Sequence, residues 1–220
     1  MYTVKEAFYT LQGEGMQAGR AAVFVRFTGC NLWSGRESDR KTARCRFCDT
    51  DFVGTDSDSG GGRYTAPQLA DRVFKLWNAG CPLSPPLFKP LVVCTGGEPL
   101  LQLDEDLLKA FHSLGFEVAV ESNGTVKAPE GIDWLCISPK TPRSELKQTS
   151  GHELKLVYPQ DVNHPDDFRD LNFTHFFIQP KEGLFDGTDT LRNRESAVEY
   201  CLSYPQWRLS LQTHKILGLR

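Results

Sequence analysis

Three cysteines, Cys30, Cys45 and Cys48, lie between Phe24 and Thr50 in the spacing C-x14-C-x2-C, just after an apolar run of β type. Thiolates suit zinc or the iron of iron–sulfur clusters, and both are commonly held by four such ligands. Three are one short of a closed tetrahedral site. A [4Fe–4S] cubane held by three thiolates leaves one iron free for an exogenous ligand, and chemistry can happen at that vacancy. The other cysteines have blander settings. Cys94 and Cys136 sit in strand-like runs (LVVCT and WLCIS) and Cys201 on the apolar side of a helix, so all three read as small buried hydrophobes. Cys81, beside Gly80 and Pro82, has no assigned role. Seven cysteines, an odd number, argue against a full disulfide framework.

Those residues need elements to position them. Residues 3–10 (TVKEAFYT) and 22–28 (AVFVRFT) read as strands, separated by the glycine-rich loop LQGEGMQAGR. The interior of the cysteine stretch, SGRESDRKTAR, is polar and charged, which predicts a surface excursion returning Cys45 towards Cys30. Residues 54–63 (GTDSDSGGGR) read as a flexible low-complexity loop. Thr65-Ala-Pro-Gln68 has the form of a capping box. It opens a helix with Leu69, Val73, Leu76 and Trp77 on one face, ending at Gly80. A Pro-rich loop leads to a buried-type strand, Leu91–Thr95, followed at once by Gly96-Gly97-Glu98-Pro99. A second helix starts near Asp104, buries Leu107, Leu108, Phe111 and Leu114, and stops at Gly115. Strands follow at Phe116–Glu121, Trp134–Ile137, Leu154–Tyr158 and His175–Ile178. A short helix is expected near Pro165–Leu171, a longer one over Arg194–Ser203, a last strand at Trp207–Leu211, and a tail from Gln212.

Strands alternating with helices indicate a mostly parallel sheet. A complete eight-fold barrel takes about 250 residues, and crossovers such as Ser122–Asp133 are too short or too Gly/Pro-rich for a full helix. The expectation is one α/β domain over 1–220, a truncated, partly open (β/α) barrel carrying the cysteine excursion at 30–50. Small, polar or glycine residues follow each strand: Gly29-Cys30, Gly96-Gly97-Glu98, Ser122-Asn123-Gly124, Ser138-Pro139-Lys140, Gln179-Pro180-Lys181 and Gln212-Thr213-His214. Such folds place their sites at that end of the strands. The net charge of −3 argues against a broad nucleic-acid surface. No apolar run approaches a membrane span. The polar N-terminus lacks a signal-peptide core, so a cytoplasmic protein with reduced thiols is expected.

The cysteine triad, the Gly-Gly-Glu-Pro after a strand and the partial barrel resemble the radical S-adenosylmethionine (SAM) superfamily. LQGEGMQAGRAAVFVRFTGCNLW, with Cys45-Arg-Phe-Cys48-Asp-Thr50, resembles one branch closely, the 7-carboxy-7-deazaguanine synthases. The likeness covers nearly the whole chain and is densest at 11–50, 95–99 and 138–140. The fourteen residues between the first two cysteines depart from the commonest superfamily pattern of three and match a variant of this branch.

The resemblance implies three cofactors: a [4Fe–4S] cluster on Cys30, Cys45 and Cys48, SAM on the free iron, and Mg²⁺ at Thr50. SAM contacts are implied for Phe47, Cys48 and Asp49, for Gly96, Gly97 and Glu98, for Ser138, Pro139 and Lys140, and for Gln179 and Pro180. Gly96 and Gly97 would let backbone approach the amino-acid end of SAM, with Glu98 able to accept from backbone or from the ammonium. Lys140 taken alone reads equally well as a solvated surface residue. The implied substrate is 6-carboxy-5,6,7,8-tetrahydropterin. Its guanidine-like edge suits the Glu14 carboxylate, with Gln12 and Gly13 alongside. Its carboxylate suits the planar fork of Arg26, a cation in an apolar strand, for which an internal salt bridge is the alternative. Thr95 and the carboxylate of Arg220 complete the implied substrate set. The branch further implies a homodimer and a one-electron donor such as flavodoxin. Two rivals stand beside this reading: another radical SAM activity, such as a glycyl-radical activating enzyme, or a zinc module taking His152, His164, His175 or His214 as fourth ligand.

Overall fold

The computed structural model describes residues 1–56, 58–81, 88–183 and 189–219. The chain begins with a hairpin of β1 (Tyr2–Leu11) and β2 (Ala21–Phe27), antiparallel and closed by the glycine-rich loop. A register shift between Val4 and Glu6 changes the phase of β1. As a result Glu6 pairs with Arg26 and Phe8 with Phe24. β3 (Gly62–Tyr64) then adds antiparallel to β1, so part of the stretch that composition marks as a loop is an edge strand.

From β2 onward all pairing is parallel. β4 (Leu91–Gly96), β5 (Glu117–Ser122), β6 (Trp134–Ile137), β7 (Ser150–Tyr158), β8 (Asn172–Pro180) and β9 (Trp207–Leu209) follow in chain order. The nine strands among the described residues form one sheet in the order β3-β1-β2-β4-β5-β6-β7-β8-β9, not closed into a barrel. α1 (Ala66–Gly80) crosses from β3 to β4, α2 (Glu105–Ser113) from β4 to β5 and α3 (Thr190–Ser203) from β8 to β9. The β5–β6 crossover holds no helix, and those after β6 and β7 hold single 3₁₀ turns at Arg143–Glu145 and Pro165–Phe168.

Period-2 alternation divides the sheet into two faces. Val23, Val25 and Phe27 of β2, Val92 and Cys94 of β4, and Val118 and Val120 of β5 pack into the core shared with Leu69, Val73 and Trp77 of α1 and Leu107, Leu108 and Phe111 of α2. Leu114 lies past the end of α2 and is exposed, contrary to the helical periodicity, because the chain turns at Leu114–Gly115. Both helix starts form as the sequence predicts. The Thr65 N–H donates to Gln68 Oε1 at 2.9 Å, and Asp104 accepts from the Leu107 N–H at 3.1 Å. Cys94 is buried in this core and Cys201 packs against it, as read; Cys136 is buried too, but on the other face of the sheet, where its Sγ donates to Glu153 Oε1 at 3.6 Å. The expected tail contains a further short helix, α4 (Thr213–Leu217), which returns the chain to the hairpin loop: the Thr213 N–H donates to Gly13 O at 3.0 Å.

Candidate active site

The other face of the sheet begins apolar, with Ala22, Leu91, Val93 and Ala119 packed beside Phe24 and Trp134. It becomes polar towards the C-terminal strand ends, where it opens into a cavity of about 490 Å³. The cysteine excursion covers one side. Its Arg44 and Cys45 N–H groups both donate to Leu32 O, at 3.0 and 3.4 Å, which brings Cys45 back against Leu32, two residues past Cys30. Leu32 and Trp33 are buried, with Trp33 edge-on to Phe52 at 5.7 Å. The Arg40 guanidinium lies 4.1 Å from the Trp33 ring centroid. Its Nη1 donates to the carbonyls of Arg46 and Cys48 at 2.8 and 2.9 Å. The charged run is thus on the surface, as predicted, but one of its arginines turns inward and braces the C-x2-C backbone.

Cys30, Cys45 and Cys48 all line the cavity, and all are free thiols. The Leu32 N–H approaches Cys30 Sγ at 3.4 Å. Burial raises all three thiol pKa values, that of Cys45 to about 11. Held as thiolates, they need positive charge among them. Among the described residues no three Cys, His, Asp or Glu converge at the spacing of a single ion. Three thiols around one cavity fit a group with several metal atoms, each taking one thiolate, better than a lone zinc. The zinc reading keeps one of its four candidate histidines. His152 and His175 stack on Trp134, and His164 packs against Tyr200; of the four histidines, His214 alone reaches the cavity.

Phe47, Asp49 and Thr50 line the same side, with Gly96 and Gly97 next to them. A Cβ on Gly97 would stand 2.0 Å from Gly29 O. The missing side chain therefore lets β4 close on the turn that carries Cys30, a demand of the protein's own packing. Of the two partners the sequence leaves open to Glu98, backbone or the SAM ammonium, its side chain takes backbone. It is fully buried and does not line the cavity; its carboxylate accepts from the Leu100 N–H (3.0 Å), the Asn123 N–H (2.8 Å) and Ser122 Oγ (2.9 Å). Burial raises its pKa against those three donors. Glu98 ties the end of β4 to the end of β5 and acts on the cavity through backbone. Pro139 likewise is buried and off the cavity wall, whereas Ser138 and Lys140 are on it. Lys140 is no solvated surface residue: burial lowers its pKa, and its Nζ lies 5.8 Å from the Phe47 ring centroid. Gln179 and Pro180 line the wall opposite.

Gln12, Gly13, Glu14, Arg26 and Thr95 all reach the cavity, so the loop after β1 and the inner face of β2 and β4 meet as the sequence suggests. Arg26 donates through Nε to Glu6 Oε1 at 2.7 Å, so the internal salt bridge is present. Neither Nη amine has a partner among the described residues. Arg220 lies outside the described residues. The floor holds groups that the sequence reading passed over. Lys155 of β7, 3% exposed, donates to both Glu14 and Glu121, the latter at 2.8 Å. Burial alone would raise the Glu14 carboxyl, but the Lys155 ammonium and Gln212 bring it down to about 2. Gln12 Nε2 donates to Glu121 Oε1 at 2.9 Å, and Gln212 Nε2 to Glu14 Oε1 at 3.0 Å. A Cβ on Gly13 would meet His214 Nδ1 at 2.2 Å, which is why glycine stands where α4 returns. A lysine inside the apolar strand run ELKLVY was the available signal for Lys155, the same kind of signal that marked Arg26.

The chain is 57% identical over 218 residues to a 7-carboxy-7-deazaguanine synthase from Caulobacter vibrioides, covering 99% of both chains. To the protein of the same name from Burkholderia multivorans it is 52% identical over 218 residues, again with 99% of both covered. The chain belongs to the 7-carboxy-7-deazaguanine synthase family. The likeness reaches further afield within that name, at 36% identity over the full length of a Bacteroides thetaiotaomicron member. The fold is that of QueE from Escherichia coli, with a TM-score of 0.69 over 96% of this chain and 93% of that one, at 23% identity. No protein-family model matches the chain.

Proposed function

We propose that this chain is a radical SAM lyase that converts 6-carboxy-5,6,7,8-tetrahydropterin to 7-carboxy-7-deazaguanine with loss of ammonia, a step that supplies 7-deazapurines such as queuosine. The observation that carries the reading is one cavity lined at once by three free cysteines and by the Gln12–Glu14 loop. A cluster with an open iron and a small polar heterocycle would need to sit side by side in this way.

Cys30, Cys45 and Cys48 would hold a [4Fe–4S] cluster, and the walls at Phe47–Asp49, Gly96–Gly97, Ser138, Lys140 and Gln179–Pro180 would hold SAM. When bound, these cofactors supply a 5′-deoxyadenosyl radical able to take hydrogen from C6 of the pterin. The chain's own residues bind and orient. The ionised Glu14 accepts from the guanidine-like N–H edge. Arg26, steadied through Nε by Glu6, offers its Nη amines to the pterin carboxylate. Thr50, on the cavity wall, would give an oxygen to a Mg²⁺ that keeps most of its waters. An external one-electron donor, flavodoxin or a protein like it, is required, and a homodimer fits the open sheet. Among the described residues no helix is long and apolar enough to cross a membrane.

The test is turnover. Protein reconstituted without oxygen with iron and sulfide is given SAM, dithionite and the carboxypterin, and product mass is measured. The reading expects the mass of 7-carboxy-7-deazaguanine. Unchanged pterin beside SAM cleavage would favour a different radical SAM activity.

A further inference from the structure

We propose that Lys155 is the positioning residue of the substrate floor, its ammonium bridging Glu14 and Glu121 so that two carboxylates stand side by side and aimed where the pterin's N–H groups must be met. This rests on the pterin reading above.

Lys155 is the most buried cation of the site, and its two partners come from different parts of the fold: Glu14 from the loop after β1 and Glu121 from the end of β5. Each carboxylate keeps one oxygen on Lys155 and gives the other to an amide. Glu14 accepts from Gln212 and Glu121 from Gln12, while the Glu14 N–H donates to Gln12 Oε1 at 3.1 Å. The result is a closed chain, Gln212–Glu14–Lys155–Glu121–Gln12, that returns to Glu14 through its own backbone. It fixes the spacing and tilt of both carboxylates before any ligand arrives, the condition for low reorganisation on binding.

The arrangement carries an electrostatic demand. Two carboxylates on one buried cation leave net negative charge, and without the ammonium they would compete for a proton. Glu153 of β7 and Cys136 of β6 lie near enough for their charges to bear on Lys155, Lys140 approaches from beyond β6, and His214 bears on Glu14 from α4. A protonated carboxyl presents a donor to the pterin edge where an acceptor is required. Lys155 therefore sets the chemistry of the floor as well as its geometry, without needing to touch the pterin.

The experiment measures equilibrium binding of 6-carboxy-5,6,7,8-tetrahydropterin to anaerobic, reconstituted protein across about pH 6 to 8. Four proteins are compared: wild type, Lys155→Met, Lys155→Arg and Lys155→Met/Glu121→Gln. Lys155→Met should bind more than about tenfold more weakly. Relative to wild type, its deficit should deepen as pH falls and shrink as pH rises. Lys155→Arg keeps the charge and should follow the wild-type pH dependence. The double variant replaces a buried ion pair by neutral groups, which folding tolerates, and should lose the pH-dependent part of the Lys155→Met deficit. It also serves if the single variant does not fold, since its pH dependence should then match wild type. A pH-independent deficit in Lys155→Met, a double variant whose deficit still deepens as pH falls, or an arginine variant with altered pH dependence would each overturn the proposal. Failure of the wild type to bind the carboxypterin would instead refute the substrate reading on which it rests.

Discussion

Replacing Arg40 by Met should loosen the segment that carries Cys45 and Cys48 while leaving the sheet intact. Arg40 makes two charge-assisted bonds to the carbonyls of Arg46 and Cys48 and lies over the Trp33 ring. Bonds to a charged group contribute about 1.5–3 kcal/mol each, and a cation–π contact about 0.5–1 kcal/mol. Water can solvate the freed carbonyls at this partly open surface, and the exposed Glu37 pair adds little. A net loss of about 2 kcal/mol is therefore reasonable, or roughly thirtyfold in the population of locally open loop. Global stability should change little, because the core strands do not depend on this contact. Amide exchange over residues 44–50 in cluster-free protein reads the loop directly, and the rate at which a chelator strips iron from reconstituted protein reads its consequence. Lys at position 40 should fall between, since it can bond a carbonyl but cannot lie flat on Trp33. Exchange within about twofold of wild type in Arg40→Met would refute the reasoning and make the excursion a passive connection.

Glu98→Gln should cost about 2 kcal/mol, because an amide nitrogen opposes one of three buried donors; that is a fall in Tm of roughly 4–8 °C in a chain of this size. An unchanged melting curve would mean the carboxylate is dispensable to the fold. Arg26→Ala should raise the carboxypterin Kd by more than about tenfold while leaving SAM cleavage without substrate intact; unchanged affinity would assign Arg26 to its Glu6 bridge alone. Thr50→Val should lower turnover and abolish its response to Mg²⁺, and a wild-type magnesium response would remove Thr50 from that role.

The parts of this site legible in the sequence are those whose residue type contradicts their surroundings. Arg26 in an apolar strand, three thiols beside a charged excursion, and glycines at a strand end each required a reason, and each lies on the cavity wall. Helix starts were legible because capping is local chemistry, as at Thr65 and Asp104. Glu98 stays open in the sequence for a physical reason: a carboxylate after two glycines could face a ligand or the backbone, and only the neighbouring strand end at Ser122–Asn123 decides which. β3 escaped notice because its three residues are held by pairing with β1, not by any apolar pattern of their own. α4 is likewise fixed by contact with Gly13, about two hundred residues earlier in the chain. Lys155 carried the same signal as Arg26. Its meaning came only with Glu14 and Glu121, which no local window contains.

The proposed function requires three thiolates to hold a cluster with one iron left for SAM. Iron and acid-labile sulfide in anaerobically reconstituted protein, with the electron paramagnetic resonance spectrum of the reduced sample taken before and after adding SAM, test that claim most directly. The prediction is about four iron and four sulfide per chain, with a signal that changes when SAM binds. Tightly held zinc without sulfide, or a cluster signal that SAM leaves unmoved, would contradict it.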